Sequence, residues 1–355
     1  MSGRDVGLIG AGAWGTAVAK VLAENGHRVE MWAYEREVVE SINNEHENRR
    51  YLMGVELPTA IRATEELERA AGKKEFLLFA LPSLFLLEHV KRLVGIPEIL
   101  EGELQIGVLT KGFIPTDRGT KLILEAMERY LPGGYADYLV FLFGASHAEG
   151  VARGELAGLI SASKNPKNSI RFRELFSGTN LVVFSSLDVV GVQTSAALKN
   201  IIAVAFGILD AMKELDERFG DNTESLLLAA GLNEIQQVGT ALGSTHPETF
   251  TSIAGVGDLD VTCRSVYGRN RRFGREIIYD RVLERFGSLD DLLNGISSLG
   301  YLPEGAVACG SAHDISRAHQ LKTPIIDTVY RILNRESDPD PALTVLLKRL
   351  SGASK

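Results

Sequence analysis

The decapeptide Val6-Gly7-Leu8-Ile9-Gly10-Ala11-Gly12-Ala13-Trp14-Gly15 decides how the first half of this chain folds. Four residues of buried-strand character run directly into G-x-G-x-x-G, and an Ala/Val/Leu-rich helix is expected from there to about Glu24. Strand, glycine loop and helix in that order give the spacing its meaning. Gly10 permits a tight turn, Gly12 lets a pyrophosphate approach the backbone, and Gly15 lets the helix pack close to the strand. The unpaired N–H groups of the helix's first turn then offer a seat for phosphate oxygens. A second strand, Val29–Trp32, leads to Glu35, 20 residues past Gly15. An acid at that point accepts hydrogen bonds from an adenosine ribose and disfavours a 2′-phosphate, which favours NAD over NADP. Arg36, next to it, is a cation that would suit NADP.

Further along, three more strands end in polar or glycine-bearing turns. Phe76–Ala80 ends in Leu81-Pro82-Ser83, ahead of an amphipathic helix around Leu84–Leu93. Gln105–Leu109 ends in Thr110-Lys111-Gly112, and Tyr138–Phe143 in Gly144-Ala145-Ser146-His147. This alternation predicts a Rossmann-type, doubly wound parallel sheet of the α/β class, whose ligands gather outside the carboxyl ends of the strands. Lys111 is placed where a strand would deliver it to that crevice; an ordinary surface lysine fits the same spacing. Leu159–Ala162 and Leu181–Phe184 read as closing strands.

From Asp188 the pattern changes to long helices: Val189–Leu215, then Thr223–Leu242 with Asp221 and Glu224 spaced as a capping box. The expected organisation is a dinucleotide-binding domain over residues 1–188 and an all-helical substrate-binding and catalytic domain over 189–355. Within Val189–Leu209 the only charged side chain is Lys199. Gln193, Thr194, Ser195, Lys199 and Asn200 make this segment too polar for an isolated membrane span. A lone ammonium in an apolar helix either snorkels to water or is answered by a carboxylate or ligand. In the second case Lys199 and Asn200 face a cleft, where a lysine can stabilise or protonate an oxyanion.

Composition is that of an ordinary globular chain: 355 residues, 45% apolar, 24% charged, net charge −8. The length suggests two domains, and the acidity argues against a general nucleic-acid binder. Two cysteines, Cys263 and Cys309, make no disulfide framework, and no CxxC or HExxH spacing points to a metal. The start, MSGRDVGLIG, has neither a basic n-region nor a long apolar stretch, so a cytoplasmic protein is expected. In Gly255–Cys263, Asp258 is a natural partner for a buried lysine, with a helix cap as the alternative use. Arg269-Asn270-Arg271-Arg272 has the donors of a small anion's seat.

Taken together, GAGAWGTA, LTKG, GAS at Gly144–Ser146, DVVGVQTSAALKN, GDN at Gly220–Asn222, AGVGDLDVTC, RNRRFG and PEG at Pro303–Gly305 resemble the NAD(P)-dependent glycerol-3-phosphate dehydrogenases, in order and spacing, over nearly the whole chain. The resemblance implies interconversion of dihydroxyacetone phosphate and sn-glycerol 3-phosphate with NAD or NADP, supplying glycerol 3-phosphate for phospholipid synthesis. It implies Lys199 as the catalytic lysine, with Lys111, Asp258 and Thr262 around the reacting centre. Lys111, Ser146, Asn200, Arg269 and Asn270 would hold the substrate, the last two at its phosphate. Gly10, Gly12, Ala13, Trp14, Gly15, Glu35, Pro82, Lys111, Ala148, Arg269 and Glu304 would line the cofactor. No metal is implied, and the family's habit makes a homodimer an expectation. The chain departs from the bacterial pattern at Ala145, at Ala230-Gly231 and at Gln193-Thr194-Ser195. Two rival functions share these features: a dehydrogenase of another phosphorylated or carboxylated hydroxy compound, and a dinucleotide-sensing binding protein.

Overall fold

The computed structural model describes residues 3–117, 119–265 and 267–350. It divides into two compact units, one formed by Met1–Ile114 and Lys121–Val189, the other by Pro115–Thr120 and Val190–Lys355.

The first unit is built on an eight-stranded sheet: β1 (Asp5–Ile9), β2 (Arg28–Trp32), β3 (Ile61–Thr64), β4 (Phe76–Phe79), β5 (Gln105–Val108), β6 (Val140–Phe143), β7 (Ala157–Ala162) and β8 (Leu181–Ser186), in the spatial order 8-7-6-5-4-1-2-3. β4 (FLLF) and β6 (VFLF) are buried at every position. Helix-covered parallel strands read as unbroken apolar runs for that reason. β1, β4, β5 and β6 pair in parallel, so their carboxyl ends lie along one edge of the sheet. The chain order reverses between β1 and β4, with the glycine loop directly after β1.

The sheet departs from the all-parallel expectation at one pair. β7 runs antiparallel to β6, with Phe143 opposite Ile160. Between them lies α3 (Ala148–Ala152), only five residues long and so spanning about 7 Å. The chain therefore re-enters the sheet from the end at which β6 left it. β3, pairing with β2 alone, was not anticipated either. The helices α1 (Ala13–Glu24), α2 (Ser83–Leu93) and α4 (Pro166–Leu175) complete this unit's main framework.

Among the described residues the second unit is helical. Its axis is α5 (Val189–Lys213), and the apolar window of that helix, mean hydropathy 1.5, is wholly buried by the rest of the protein. It is a core helix. Around it lie α6 (Asp221–Ala241), α7 (Asp258–Arg264), α8 (Arg269–Tyr279), α9 (Glu304–Ala318), α10 (Pro324–Leu333) and α11 (Pro339–Leu350). α5 and α8 approach at two glycines: a Cβ on Gly207 would lie 2.0 Å from the Arg271 carbonyl oxygen, and one on Gly274 would lie 2.2 Å from that of Val204.

The expected cap of α6 needs correction. Gly220, not Asp221, is the N-cap, and its N–H donates to Thr223 Oγ1 at 3.3 Å. Asp221 is already helical, and it pairs with Lys213 at 3.2 Å. Glu224 also pairs with Lys213. An acid in the first turn interacts favourably with the helix dipole without being the cap.

Candidate active site

The glycine loop has the tight turn and the close helix packing expected of it. Gly10 has φ +116°, a left-handed conformation that a side chain would strain, and a Cβ there would come 2.8 Å from the Ala80 carbonyl oxygen. A Cβ on Gly15 would lie 2.1 Å from the Gly10 oxygen, so only glycine allows α1 this close to β1. Gly12 is different, because a Cβ there would meet nothing within 4 Å. The loop thus keeps an open cradle at Gly12, beside the first turn of α1, which no side chain caps. These residues fit a dinucleotide pyrophosphate. Ala13 and Trp14 form that first turn and pack partly against the core.

A buried asparagine with no signature in the residue pattern holds this loop. Asn48, fully buried, donates through Nδ2 to the Ala11 carbonyl and to Thr16 Oγ1, each at 2.8 Å, while its Oδ1 accepts from Tyr51 N–H at 3.1 Å. The short hairpin carrying it, Glu47–Asn48 with Leu52–Glu56, is thereby tied to the glycine loop. Glu35 caps the next short helix from the end of the β2 segment, and its Oε1 accepts a 2.5 Å hydrogen bond from Tyr51 Oη.

The other strand ends carry the remaining expected residues of this unit. Pro82 is the N-cap of α2. Lys111 follows β5, half-buried, with Nζ 5.5 Å from the centre of the Phe143 ring. Ser146, half-buried, donates to the Gly144 carbonyl at 3.2 Å, and buried Ala148 is the first residue of α3.

In the second unit, Lys199 and Asp258 form an ion pair with side chains only 5% and 1% exposed. Asp258 is the first residue of α7, after a wide turn at Ile253–Gly257. Desolvating both charges costs several kcal/mol each, and at this depth only their mutual attraction and further polar contacts offset it. The pair is thus an expensive feature of the core. Thr262, buried one turn beyond Asp258, lies on the same face of α7.

Asn200 and Asn270 join a chain of amides. The Gly305 N–H donates to Asn270 Oδ1 at 2.8 Å, Asn270 Nδ2 donates to Asn200 Oδ1 at 2.9 Å, and Asn200 Nδ2 lies 3.4 Å from Glu304 Oε2. This links α5, α8 and the start of α9. Close packing enforces it, since a Cβ on Gly305 would lie 2.4 Å from the Asn200 carbonyl oxygen.

The three arginines of the Arg269–Arg272 run separate clearly. Arg271 pairs with buried Asp210, and its NH1 donates to the Arg264 carbonyl at 2.7 Å. Arg272 pairs with Glu276 at 2.6 Å. Arg269, exposed at the first position of α8, has no carboxylate partner among the described residues. It is the guanidinium available to an anion. Cys263, next to Thr262, is deeply buried, and burial pushes its thiol well up, against the pull of the Lys199 charge. Burial thus disfavours a thiolate there.

Comparison with known proteins gives a consistent picture. Residues 5–169 match the NAD-dependent glycerol-3-phosphate dehydrogenase N-terminus family, and residues 188–344 match the corresponding C-terminus family. A glycerol-3-phosphate dehydrogenase [NAD(P)+] of Treponema denticola is 51% identical over 97% of this chain and 98% of its own. The protein of that name from Bacillus subtilis (strain 168) is 34% identical over 98% of this chain and 94% of its own. The crystal structure of a glycerol-3-phosphate dehydrogenase from Coxiella burnetii superposes with a TM-score of 0.84 at 28% identity, over 98% of this chain and 99% of the other.

Proposed function

This chain belongs to the NAD-dependent glycerol-3-phosphate dehydrogenase family and is an NAD(P)-dependent oxidoreductase; from that premise we propose how its own residues divide the work. The substrate pair is dihydroxyacetone phosphate and sn-glycerol 3-phosphate, and the product serves phospholipid synthesis. A reduced nicotinamide, when bound, supplies the hydride. The glycine loop holds the pyrophosphate on the Gly12 backbone and the first turn of α1, while Glu35 accepts from the adenosine ribose.

Lys199 carries the proton chemistry. As negative charge develops on the C2 carbonyl oxygen, the ammonium meets it and donates a proton; in the oxidative direction the neutral amine takes that proton back. Asp258 keeps the ammonium charged and aimed, and Thr262 adds a hydroxyl on the same helix face. Arg269 binds the phosphate, with its helix start fixed by the Arg271–Asp210 pair. The Asn200–Asn270 amides orient the substrate-holding turns.

The observation that carries this reading is the Lys199–Asp258 pair, buried in the second unit and drawn from two motifs 59 residues apart. The test is NADH oxidation by purified protein on addition of dihydroxyacetone phosphate, beside a panel of other ketones. Oxidation confined to a different ketone, or none at all, overturns the assignment. Arg269→Ala should raise KM for dihydroxyacetone phosphate about tenfold or more, because a charge-assisted bidentate contact is lost. An unchanged KM removes Arg269 from the phosphate site.

A further inference from the structure

Two neighbouring hydroxyls are buried on α5 just ahead of Lys199, and the helix backbone accepts from only one of them. Thr194 donates to the Val190 carbonyl at 2.8 Å, the ordinary way for a helix to absorb a buried hydroxyl. Ser195, 1% exposed, does not follow it: its Oγ has no hydrogen-bond partner among the described residues. Ser195 stands four residues before Lys199, so the two side chains share one face of the helix. A helical side chain leans towards the N-terminus, and the Lys199 stem therefore lies back over the turn that carries Ser195. Asp258 likewise accepts nothing from the described residues beyond its ion pair with Lys199. Unmet polar atoms thus gather around the buried ammonium, at a standing cost to the fold, and native proteins keep few of them.

We propose that Ser195 is a specificity-determining residue of the substrate site: its hydroxyl is left unpaired by the protein to receive the free terminal hydroxyl of a phosphorylated hydroxyketone. The inference rests on the dihydroxyacetone phosphate reading and deepens it. That molecule has three polar groups. Arg269 takes the phosphate on C3 and Lys199 the carbonyl oxygen on C2, which leaves the hydroxyl on C1. Since C1 is bonded to C2, its hydroxyl comes to rest beside the ammonium, on the helix face that carries Ser195. A serine hydroxyl both donates and accepts, so it pairs with another hydroxyl without bringing in a charge that would compete with the C2 oxygen for Lys199. A ketone without the C1 hydroxyl leaves that bond unmade, and a site built around a buried hydrogen bond discriminates against such an analogue.

The experiment is a cycle that removes the hydroxyl from the protein, from the substrate and from both. With NADH, kcat/KM is measured for dihydroxyacetone phosphate and for hydroxyacetone phosphate, which has a methyl group in place of the C1 hydroxymethyl, in wild type and in Ser195→Ala. Thermal unfolding of the two ligand-free proteins is measured beside it. Wild type should prefer dihydroxyacetone phosphate by about tenfold or more, and Ser195→Ala should lower kcat/KM for that ketone about tenfold while leaving the methyl ketone within about twofold. Because the hydroxyl bonds nothing in the protein, the melting temperature of Ser195→Ala should equal or exceed that of wild type, alanine also being the better helix former. A wild type without preference, a variant that keeps the wild-type preference, or an equal loss on both ketones overturns the inference. So does a lower melting temperature, which would show the hydroxyl bonded within the helix. Failure of wild type to oxidise NADH with dihydroxyacetone phosphate at all would instead defeat the reading beneath it.

Discussion

The glycine loop and the lysine helix solve opposite problems. In the loop, side chains are removed so that backbone N–H groups stay open: Gly12 faces space that a Cβ would not even touch. In α5, a charge is enclosed: Lys199 sits among residues such as Ala196, Leu198 and Ile202 with no exposure, answered by Asp258. The loop is bare at Gly12 and costs little beyond the conformational freedom of its glycines. The helix carries an expensive feature, since a buried ion pair is retained against a desolvation penalty that well-packed apolar residues would avoid. The open loop and the buried pair thus belong to different units and should respond differently to substitution.

Removing one partner of the ion pair should have the largest effect. Asp258→Ala leaves an uncompensated ammonium in the core and should cost about 3–5 kcal/mol of stability, read by denaturant unfolding, together with loss of turnover. A fully stable Asp258→Ala protein would show that Lys199 reaches water, and the contrast would fail.

Within the loop, two neighbouring glycines should behave differently. Gly10→Ala forces a side chain onto φ +116° and towards the Ala80 carbonyl, and should cost about 1–3 kcal/mol. Gly12→Ala should leave the melting temperature close to that of wild type while weakening NADH binding, because its methyl group fills the cradle. If both substitutions destabilise alike, the open space at Gly12 is structural rather than reserved for a ligand.

A further effect is one of pH, outside both sites. Glu234 on α6 is buried and accepts from the N–H groups of Ile325 and Ile326 at 2.7 and 3.0 Å. Burial pushes its carboxyl up to about 8, while those two donors pull it down. The folded protein therefore holds this proton more tightly than the unfolded chain does. Its contribution to stability is fully present below the ordinary carboxyl value of 4.5 and is lost as pH rises through about 8. Glu234→Gln should flatten that part of the stability profile without altering the NADH to dihydroxyacetone phosphate reaction at neutral pH. A profile identical to wild type would mean that the two N–H donors keep Glu234 ionised throughout.

What could be read from sequence follows the same division. Gly10 and Gly15 were legible because their roles are local: turn and packing are both decided within a few residues. The Lys199–Asp258 pair was legible as a need, since an isolated ammonium demands an answer and Asp258 stood in a glycine-bracketed turn. The direction of β7 was not, because hydropathy reports burial and says nothing about which way a strand runs. Asn48 was hidden for a related reason. It reads as one polar residue among many in HENRRY, yet its amide serves Ala11 and Thr16, more than thirty positions away. The amides of Asn200 and Asn270 and the Gly220 cap were likewise set by tertiary contact or by backbone, which leave no trace in side-chain pattern.

The most direct test of the account is to titrate Lys199→Ala with NADH by fluorescence and then mix the complex with dihydroxyacetone phosphate. The expected result is a dissociation constant within about threefold of wild type, as for a residue outside the cofactor's binding contacts, with the oxidation rate lowered by about a thousandfold or more, the scale of a lost oxyanion partner and proton donor. Tight binding combined with substantial residual oxidation would contradict it.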